Sequence, residues 1–340
     1  MTTIYDIAKK TGFSISTVSK VLNNYTDVGD KTRKIINDAV KEMGYYPSSS
    51  ARTLSTKKSW TIGVVNVEKL GLEHPFFSGV IESFMKKVEA AGYDLLFVSD
   101  KIGNKSQTYL DHFRYRGVDG VIIVCISKDD PYMDMLIESE IPTVLIDIES
   151  RKASVVSSDN HYGSELAVNY LASLGHKKIA HISAEERLLA GAHRLEGFMQ
   201  AMKKNDLHIQ DGYIVSGGVF TIEGGKEAME RLLDLSEPPT AVFAAGDLMA
   251  LGALMAIRER GLDVPNDISL IGFDDLQMIQ YTTPALTSIK QDTALIGRTA
   301  ATILLEQMNN EDEPQQHVSV KVPVSLVERD SCKKLTPVKN

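Results

Sequence analysis

The chain has 340 residues, of which 43% are hydrophobic and 24% are charged, a composition typical of globular proteins. This length suffices for two or three domains with their own cores. No apolar run has the length of a membrane span, and the polar residues 2–10 predict that no signal peptide is present. The cysteines, Cys125 and Cys332, indicate neither a disulfide framework nor a metal cluster, so we expect a cytoplasmic protein.

Charge is distributed unevenly along the chain. The whole sequence carries a formal net charge of −8 at pH 7. Residues 1–60 hold ten Lys and Arg against five Asp and Glu, a net charge of +5, so the remainder carries −13. A basic N-terminal segment on an acidic body can direct one end of the molecule to the phosphates of a nucleic acid.

The start of the chain predicts two short helices, residues 5–10 and 15–22, joined by a tight turn. Gly12 tolerates the positive φ of such a turn, and Ser14 can cap the second helix. Outward-facing hydroxyls and one cation on the second helix suit a DNA major groove. From this segment alone, the second helix could equally be a solvated polar helix of a small helical subdomain that does not bind DNA. The outward-facing residues are Ile15, Ser16, Thr17, Ser19 and Lys20.

A third helix is predicted over residues 30–43, because Gly44 ends it and Pro47 blocks its continuation. Three helices of this size bury little surface, so we expect a domain of marginal stability. Residues 48–58 are polar and serine-rich, which by composition is a flexible linker, although residues 51–54 could form one helical turn. The residues expected on the apolar face of the third helix are Ile35, Ile36, Ala39, Val40 and Met43.

From Trp60 onward, short apolar strands alternate with amphipathic helices. Such alternation predicts parallel sheets covered on both faces, the doubly wound α/β class. The pattern restarts near Gly175, and the last helix and strand come late enough to pack on the first half, so we expect two sheets. The predicted strands are residues 61–67, 94–98, 121–124, 143–146, 179–182, 241–244, 269–271 and 318–322. The predicted helices include residues 77–91, 160–174, 224–233, 250–260 and 294–308.

Ligands of doubly wound sheets bind beyond the carboxyl ends of the strands, so residues that follow strands are candidate contacts. Asp147 and Asp274 end predicted strands and could accept from sugar hydroxyls or polar nitrogens, or could cap the next helix instead. Arg194 is a planar donor for the same cleft. Phe76 and Phe77 could stack on a ligand ring, although a Phe pair that opens a helix is more often core.

The sequence contains no catalytic motif of the P-loop, GxSxG or HExxH type, and its scattered histidines lack metal-ligand spacing. We therefore expect neither a cofactor nor a metal. Two alternatives to a DNA-binding function stay open from the residues. One is a soluble sugar-binding transport component, which the basic N-terminal segment disfavours. The other is an enzyme acting on a small sugar or nucleoside, with Asp147 and Asp274 as acid and base.

Three segments carry a resemblance to a known family: TIYDIAKKTGFSISTVSKVLNN, then KTRKIINDAVKEMGYYP, then SSSARTLSTKK. Here, and onward to about residue 330, the sequence resembles the lactose-repressor (LacI/GalR) family of bacterial transcription regulators. The resemblance implies a homodimeric repressor that binds a palindromic site in double-stranded operator DNA. It also implies a body of the periplasmic-binding-protein fold, with a sugar or sugar derivative as the small-molecule effector. A protein corepressor is left open.

The resemblance further implies how the chain is divided. It gives a helix-turn-helix DNA-binding domain at residues 1–47, a hinge helix at residues 48–59, and an effector-binding and dimerisation domain at residues 60–340. Within the last domain, the N-subdomain would comprise residues 60–160 and 291–322, and the C-subdomain residues 161–290 and 323–335. The tail at residues 331–340 has no leucine heptads, so we expect a dimer rather than a coiled-coil tetramer.

By the resemblance, the second helix reads the major groove, with Ile15, Ser16 and Lys20 facing the bases. Leu54 of the hinge would enter the minor groove as a wedge that kinks the operator. Lys20 stands where the family frequently has Arg, so a guanine contact there would be less selective. The implied DNA contacts are Thr3, Tyr5, Ser14, Ile15, Ser16, Thr17, Ser19, Lys20, Asn23, Ser48, Ala51, Arg52 and Leu54.

The resemblance also implies which residues bind the effector. One departure from the family concerns Gly246, where relatives often have an Asn or Thr whose side chain bonds the ligand. Because glycine has no such side chain, one polar contact is lost and the identity of the effector stays open. The implied effector contacts are Phe76, Phe77, Asp147, Arg194, Phe220, Asp274 and Gln291.

Overall fold

The computed structural model describes residues 2–23, 25–46, 58–66, 71–98, 101–102, 105–124, 126–127, 129–310 and 316–335. The chain forms two compact units, which we call the head and the body. The head is Met1–Thr61 with Gly117–Asp119, and the body is Ile62–Arg116 with Gly120–Asn340. The predictions for Ser48, Ala51, Arg52 and Leu54 of the hinge, and for Cys125, fall outside the described residues.

The described part of the head contains the helices α1 (Ile4–Thr11), α2 (Ile15–Leu22) and α3 (Asp30–Glu42). All three were predicted from the sequence within two residues of these bounds. Gly12 ends α1 with a φ of +72°, which glycine adopts without steric cost. The Ser14 hydroxyl accepts from the amide three residues on, at 3.1 Å, and so caps α2 as predicted.

The core of the head is formed by one apolar face from each helix. Ile7 of α1, Val18 and Val21 of α2, and Ile36 of α3 are all buried. The prediction that Ile35 lies on the same face is wrong, because its side chain is 42% exposed. Successive side chains of a helix point in directions about 100° apart. Because Ile36 points into the core, Ile35 points toward solvent.

The body is built from short strands separated mainly by helices. Its described strands, counting β1 at the junction, are β1 (Thr61–Val65), β2 (Asp94–Phe97), β3 (Lys101–Ile102), β4 (Lys105–Ser106), β5 (Gly120–Ile123), β6 (Thr143–Ile146), β7 (Ser154–Ser158), β8 (Ile179–Ser183), β9 (Ile214–Ser216), β10 (Ala241–Ala244), β11 (Ser269–Asp274), β12 (Thr287–Lys290), β13 (Ser319–Val322) and β14 (Ser325–Val327).

The described helices of the body cover the sheets. They are α4 (Pro75–Glu89), α5 (Tyr109–Arg116), α6 (Met133–Ile137), α7 (Asn160–Ser173), α8 (Leu189–Lys204), α9 (Ile222–Leu233), α10 (Asp247–Glu259) and α11 (Thr293–Asn309). In the described part of the chain, none of the helices combines the length and apolar character needed to cross a membrane.

Most strands of the body belong to two sheets, each with six described strands. The first has the order β13-β7-β6-β5-β1-β2, and its pairings from β13 to β1 are parallel. The second has the order β14-β12-β11-β10-β8-β9 and is parallel except that β14 joins β12 antiparallel. These orders, with helices as the crossover connections, confirm the predicted doubly wound α/β class.

The chain passes between the two sheets after β7, after β12 and after β13. The second of these passages returns the chain through α11, which packs against α4 beside the first sheet. A Cβ atom at Gly297 of α11 would lie 2.3 Å from the carbonyl oxygen of Val80 in α4. Glycine is therefore required there for the two helices to approach so closely.

Several described elements are not among those predicted from the sequence, namely the strands β3, β4, β7, β9, β12 and β14 and the helices α5, α6 and α8. The strand β7 reads SVVSS, and its buried Ser154 hydroxyl accepts from Nε2 of Gln307 at 2.8 Å. A partner 153 residues away thus satisfies the polar group, which no local pattern reveals. The helix α8 contains Gly197, where a Cβ atom would lie 2.8 Å from the carbonyl of His161. Close packing, rather than helix propensity, explains that glycine.

Candidate ligand cavity and candidate DNA-binding helix

A cavity of about 230 Å³ lies in the body, lined by segments of both sheets that follow their strands. The first sheet contributes segments after β1, β5 and β6, and the second contributes segments after β8, β9 and β11. A largely apolar cavity with a few convergent polar groups at this position is typical of a small-molecule site. The predicted effector contacts that line it are Phe76, Phe77, Asp147, Arg194, Phe220 and Asp274.

Two aspartates occupy equivalent places at this cavity, one from each sheet. Asp147 directly follows β6 and has a φ of 52°, and Asp274 ends β11 with a φ of 120°. Left-handed backbone is unfavourable for residues other than glycine and is typical of functional sites. Neither carboxylate caps a following helix. The N-cap of α7 is Asp159, and after Asp274 the N-caps of the 3₁₀ helix Gln277–Tyr281 and of α11 are Leu276 and Asp292. The helix-cap alternative for the two aspartates is therefore wrong.

Arg194 of α8 is held rigidly, with only 2% of its surface exposed. Its Nε donates to Oδ1 of Asn160 at 2.8 Å, and its Nη1 donates to the carbonyl of Ala245 at 2.5 Å. The guanidinium lies 3.7 Å from the ring centre of Phe273 and 3.6 Å from the carboxylate of Asp274. Burial lowers the pKa of Arg194, and the neighbouring carboxylates oppose that effect.

Asp274 has one satisfied and one unsatisfied carboxylate oxygen. Its Oδ1 accepts from Nε2 of Gln291 at 2.6 Å. Its Oδ2 is buried and has no hydrogen-bond partner among the described residues. Burial raises the pKa of Asp274, although Arg194 acts in the opposite direction. Gln291 is not among the described residues that line the cavity, so the structure places it as a support for Asp274.

Asn160, which was not predicted from the sequence as a site residue, connects Arg194 to Asp147. Its Oδ1 accepts from Arg194, and its Nδ2 donates to Oδ1 of Asp147 at 3.5 Å. The amide of Ser158 donates to the same Asp147 oxygen at 3.3 Å. These contacts are long, and burial raises the pKa of Asp147 to about 6. The only sequence signal for Asn160 was its position at the start of a predicted helix.

Two further acids support the end of β11 without entering the cavity. The carboxylate of Asp247 accepts from the Ser288 hydroxyl and from the Leu276 amide, both at 2.7 Å. Burial raises the pKa of Asp247 well above its usual range. Asp275 pairs with Arg329 at 2.5 Å, in the segment that follows β14. The polar side of the site is therefore acidic, with Arg194 as a buried cation beside these carboxylates.

Aromatic rings form much of the apolar side. Phe76 and Phe77 contact each other edge to face, with ring centres 5.2 Å apart, and Phe220 lies on the side of the second sheet. Phe76 is only 4% exposed, so it belongs both to the core and to the cavity lining. A Cβ atom at Gly246 would lie 2.9 Å from the ring of Phe220. The glycine thus makes room for that ring.

His74 is a cavity residue that was not predicted as a ligand contact. It caps α4, because its Nδ1 accepts from the amide of Phe76 at 3.3 Å. The ring is 3% exposed, and burial lowers the pKa of His74. Its Nε2 has no hydrogen-bond partner among the described residues. A lone histidine before a proline offered no spacing signal, so only the structure brings it to the site.

Three of the five residues of α2 that were predicted to face outward are exposed, and the other two are partly exposed. Ile15 is 41% exposed, Ser16 and Lys20 are exposed, and Thr17 and Ser19 are partly buried. The Ser14 hydroxyl bonds those of Ser16 and Thr17, each at 2.8 Å, which orders the start of the helix. Lys20 forms an ion pair with Asp27 in the loop after α2. That pair is exposed and can open for a DNA ligand.

The other predicted head contacts lie around α2. Tyr5 is 68% exposed, and Thr3 is exposed at the start of α1, where its amide donates to Asp6 at 2.8 Å. Asn23 is the C-cap of α2 and donates to the hydroxyl of Ser19 at 3.3 Å. These side chains extend the polar surface of the head beyond α2 itself.

These features define a class of protein, in which a helix-turn-helix unit is joined in one chain to a body with a small-molecule cavity. Residues 3–48 match bacterial regulatory proteins of the lacI family, and residues 168–332 match a periplasmic binding protein-like domain. The transcriptional repressor PurR of Salmonella paratyphi A is 38% identical over 341 residues, covering 97% of each chain. This chain belongs to the lacI family of bacterial regulatory proteins.

Solved structures agree with this assignment. The lac repressor dimer bound to operator and the anti-inducer ONPF matches with a TM-score of 0.86 and 28% identity, over 98% of this chain and 99% of that chain. The transcriptional regulator CelR in complex with cellobiose matches with a TM-score of 0.72 and 29% identity, over 97% of this chain and 100% of that chain. These relatives are regulators, in agreement with the prediction that this chain is not an enzyme.

Proposed function

We propose that this protein is a transcriptional repressor that binds a palindromic operator as a homodimer and responds to a small sugar. The observation that carries the proposal is the exposed face of α2, which presents Ile15, Ser16 and Lys20 on a head with its own core. The net charge of +5 on residues 1–60 supports attraction to DNA phosphates. The lac repressor dimer bound to operator is the model for this assembly.

In this proposal, α2 enters the major groove of each half-site, and the hinge enters the minor groove between them. Ile15, Ser16 and Lys20 contact base edges, while Thr17 and Ser19 position the helix on phosphates. Leu54 unstacks the central base step, with Ala51 and Arg52 beside it. Since operator DNA is in the cytoplasm, the proposal also places the protein there.

The domain boundaries are part of the same proposal. Residues 1–47 form the DNA-binding domain, residues 48–59 the hinge, and residues 60–340 the effector-binding and dimerisation domain. The two sheets support a division of the body into two subdomains. The chain changes sheet between β13, which joins the first sheet, and β14, which joins the second. We assign residues 60–160 and 291–322 to the N-subdomain and residues 161–290 and 323–335 to the C-subdomain.

The effector binds in the cavity between the subdomains. A sugar presents hydroxyls to the polar side, where Asp147, Asp274 and Arg194 lie, and apolar ring faces to Phe77 and Phe220. Because the lining comes from both subdomains, the ligand favours one angle between them. That change in angle orders or melts the hinge in the dimer and so controls operator affinity.

The test is selection of bound sequences from random duplex DNA by the purified full-length protein, repeated at two salt concentrations. We expect a palindrome with a pyrimidine–purine step at its centre, lost in Leu54→Ala. In Lys20→Ala, we expect selectivity to relax at one position of each half-site. Steeply salt-dependent binding that enriches no sequence would contradict the repressor proposal, since phosphate attraction alone gives that result.

A further inference from the structure

The imidazole of His74 lies where the two subdomains meet at the cavity. Its ring centre is 5.6 Å from that of Phe77 in the first subdomain and 6.2 Å from that of Phe220 in the second. Both contacts are edge to face, so the ring is fixed in orientation. The side chain is therefore a rigid part of the cavity wall.

The capping contact fixes which nitrogen of His74 carries the proton. The amide of Phe76 donates to Nδ1 at 3.3 Å, so Nδ1 must offer its lone pair. In a neutral imidazole the proton is then on Nε2, which becomes a hydrogen-bond donor. Burial lowers the pKa of His74, which keeps the ring neutral at physiological pH.

Helix capping alone does not account for this residue. A cap requires only one acceptor, and the single hydroxyl of Ser provides it without a second polar atom. His74 brings a further donor, Nε2–H, which is buried and has no partner among the described residues. An unpaired buried donor is unfavourable, so the position favours a ligand that accepts from it.

A matching unpaired acceptor lies in the same cavity. Gln291 occupies Oδ1 of Asp274, whereas Oδ2 is buried without a partner in the described part of the chain. The carboxylate of Asp274 is close enough to act on the pKa of His74, in the direction that raises it. The first subdomain thus offers a donor and the second an acceptor. A hydroxyl group is both acceptor and donor and can satisfy the two at once.

We propose that His74 is a ligand-binding residue, and that Nε2–H of His74 and Oδ2 of Asp274 together bind one hydroxyl group of an uncharged sugar. This inference rests on the proposed function, because it adds a contact to the same effector site. The hydroxyl accepts from His74 and donates to Asp274. The ligand consequently bridges the two subdomains through a single group.

The charges around the cavity exclude phosphorylated sugars. Asp147, Asp247 and Asp274 cluster near Arg194, whose Nε and Nη1 already donate to protein oxygens. The other lining cation, Arg187, is paired with Glu185. A phosphate group would add negative charge to a buried acidic site without a free cation to balance it. A cavity of about 230 Å³ also favours a single sugar ring over a larger ligand.

The proposal is tested by calorimetric titration of the full-length protein with a panel of uncharged pentoses, hexoses and disaccharides and the corresponding phosphates, each up to 20 mM. We expect an uncharged sugar to bind, and its affinity to fall roughly ten- to a hundredfold in His74→Ser. Ser keeps the cap, but its only polar side-chain atom is the capping hydroxyl, so the donor at Nε2 is lost. The matched control is His161→Ser, which changes a histidine that does not line the cavity and should bind as wild type.

A series of deoxy analogues of the bound sugar, each lacking one hydroxyl group, identifies the hydroxyl that binds His74 and Asp274. The analogue that lacks it should bind weakly to wild type but lose little further affinity in His74→Ser, because the same hydrogen bond is already absent. Binding only of phosphates, binding of no uncharged sugar, or unchanged affinity in His74→Ser would each overturn the proposal. So would ¹⁵N chemical shifts that place the proton of His74 on Nδ1. Operator selection by His74→Ser without ligand tests the repressor function separately.

Discussion

The guanidinium of Arg194 lies 3.6 Å from the carboxylate of Asp274, and each side chain is only 3% exposed. Because water cannot solvate either group, each charge depends on the other and on fixed protein dipoles. The pair joins α8 to the end of β11, so it holds the polar side of the cavity in place. Asn160 and the carbonyl of Ala245 fix the guanidinium further.

Replacing Arg194 by Met should therefore destabilise the folded body. The change leaves Asp274 buried without its cation, which costs about 3–5 kcal/mol in comparable buried pairs. Urea denaturation at pH 7 measures the loss, and the deficit should shrink at low pH, where Asp274 is protonated. Arg114→Met is the control, because Arg114 pairs with Glu140 on the surface and its loss should leave stability unchanged. Equal stability of Arg194→Met and wild type would contradict the prediction.

The pH dependence of stability should reveal Asp147. Its pKa is raised to about 6 by burial, against about 3.9 in the unfolded chain. Between those values the folded state binds more protons than the unfolded state, so stability falls as the pH rises through this window. Below about pH 4 the carboxyl is protonated in both states, and the penalty is absent.

Asp147→Asn should remove that dependence, because Asn is uncharged and tolerates the left-handed backbone. We expect the variant to be more stable than wild type at pH 7, by at most about 3 kcal/mol. Partial access of the side chain to the cavity reduces the gain below that limit. Urea midpoints between pH 4 and pH 7 measure it. A difference between the two proteins that stays constant over this range would show that ionisation of Asp147 is not its cause.

The sequence predicted those parts of the site that follow from local rules. Asp147 and Asp274 were found because ligands bind at strand ends, and the three head helices because capping and periodicity agree. Asn160 and His74 were missed for a physical reason. Asn160 acts on Arg194 from 34 residues away, and His74 meets Asp274 only when two sheets are brought together.

The same limit explains the missed strand β7 and the error at Ile35. Three of the five residues of β7 are serines, which makes the strand polar in sequence, although Gln307 satisfies the buried Ser154 hydroxyl. Ile35 and Ile36 are equally apolar, and only the packed head decides which one faces inward. The spacing of apolar residues shows that a helix has a buried face, but it does not show which of two adjacent apolar residues points into the core.

Gly246→Asn should destabilise the body through Phe220. A Cβ atom at position 246 would lie 2.9 Å from the ring of Phe220, so the ring must shift. Overpacking of this kind costs roughly 1–3 kcal/mol. In a Phe220→Ala background the space is available, and Asn should then cost little. A double-mutant cycle by urea denaturation gives the coupling, and additive effects would exclude a clash as the cause.

Ile36 and Ile35 of α3 provide a matched pair for testing whether an intact head is required for DNA binding. Ile36 is completely buried, so Ile36→Ala should cost about 2–5 kcal/mol, which a three-helix head with a small core cannot sustain. Ile35 is 42% exposed, and Ile35→Ala should change stability by less than about 0.5 kcal/mol.

We therefore expect full-length Ile36→Ala to lose the operator selected by wild type, while Ile35→Ala keeps it. Both variants should bind the effector as wild type does, because the ligand cavity is lined by residues of the body. Operator titration and effector calorimetry on the same preparations separate the two activities. If Ile36→Ala retained the operator, DNA binding would not depend on the core of the head, and α2 would no longer be supported as the reading helix.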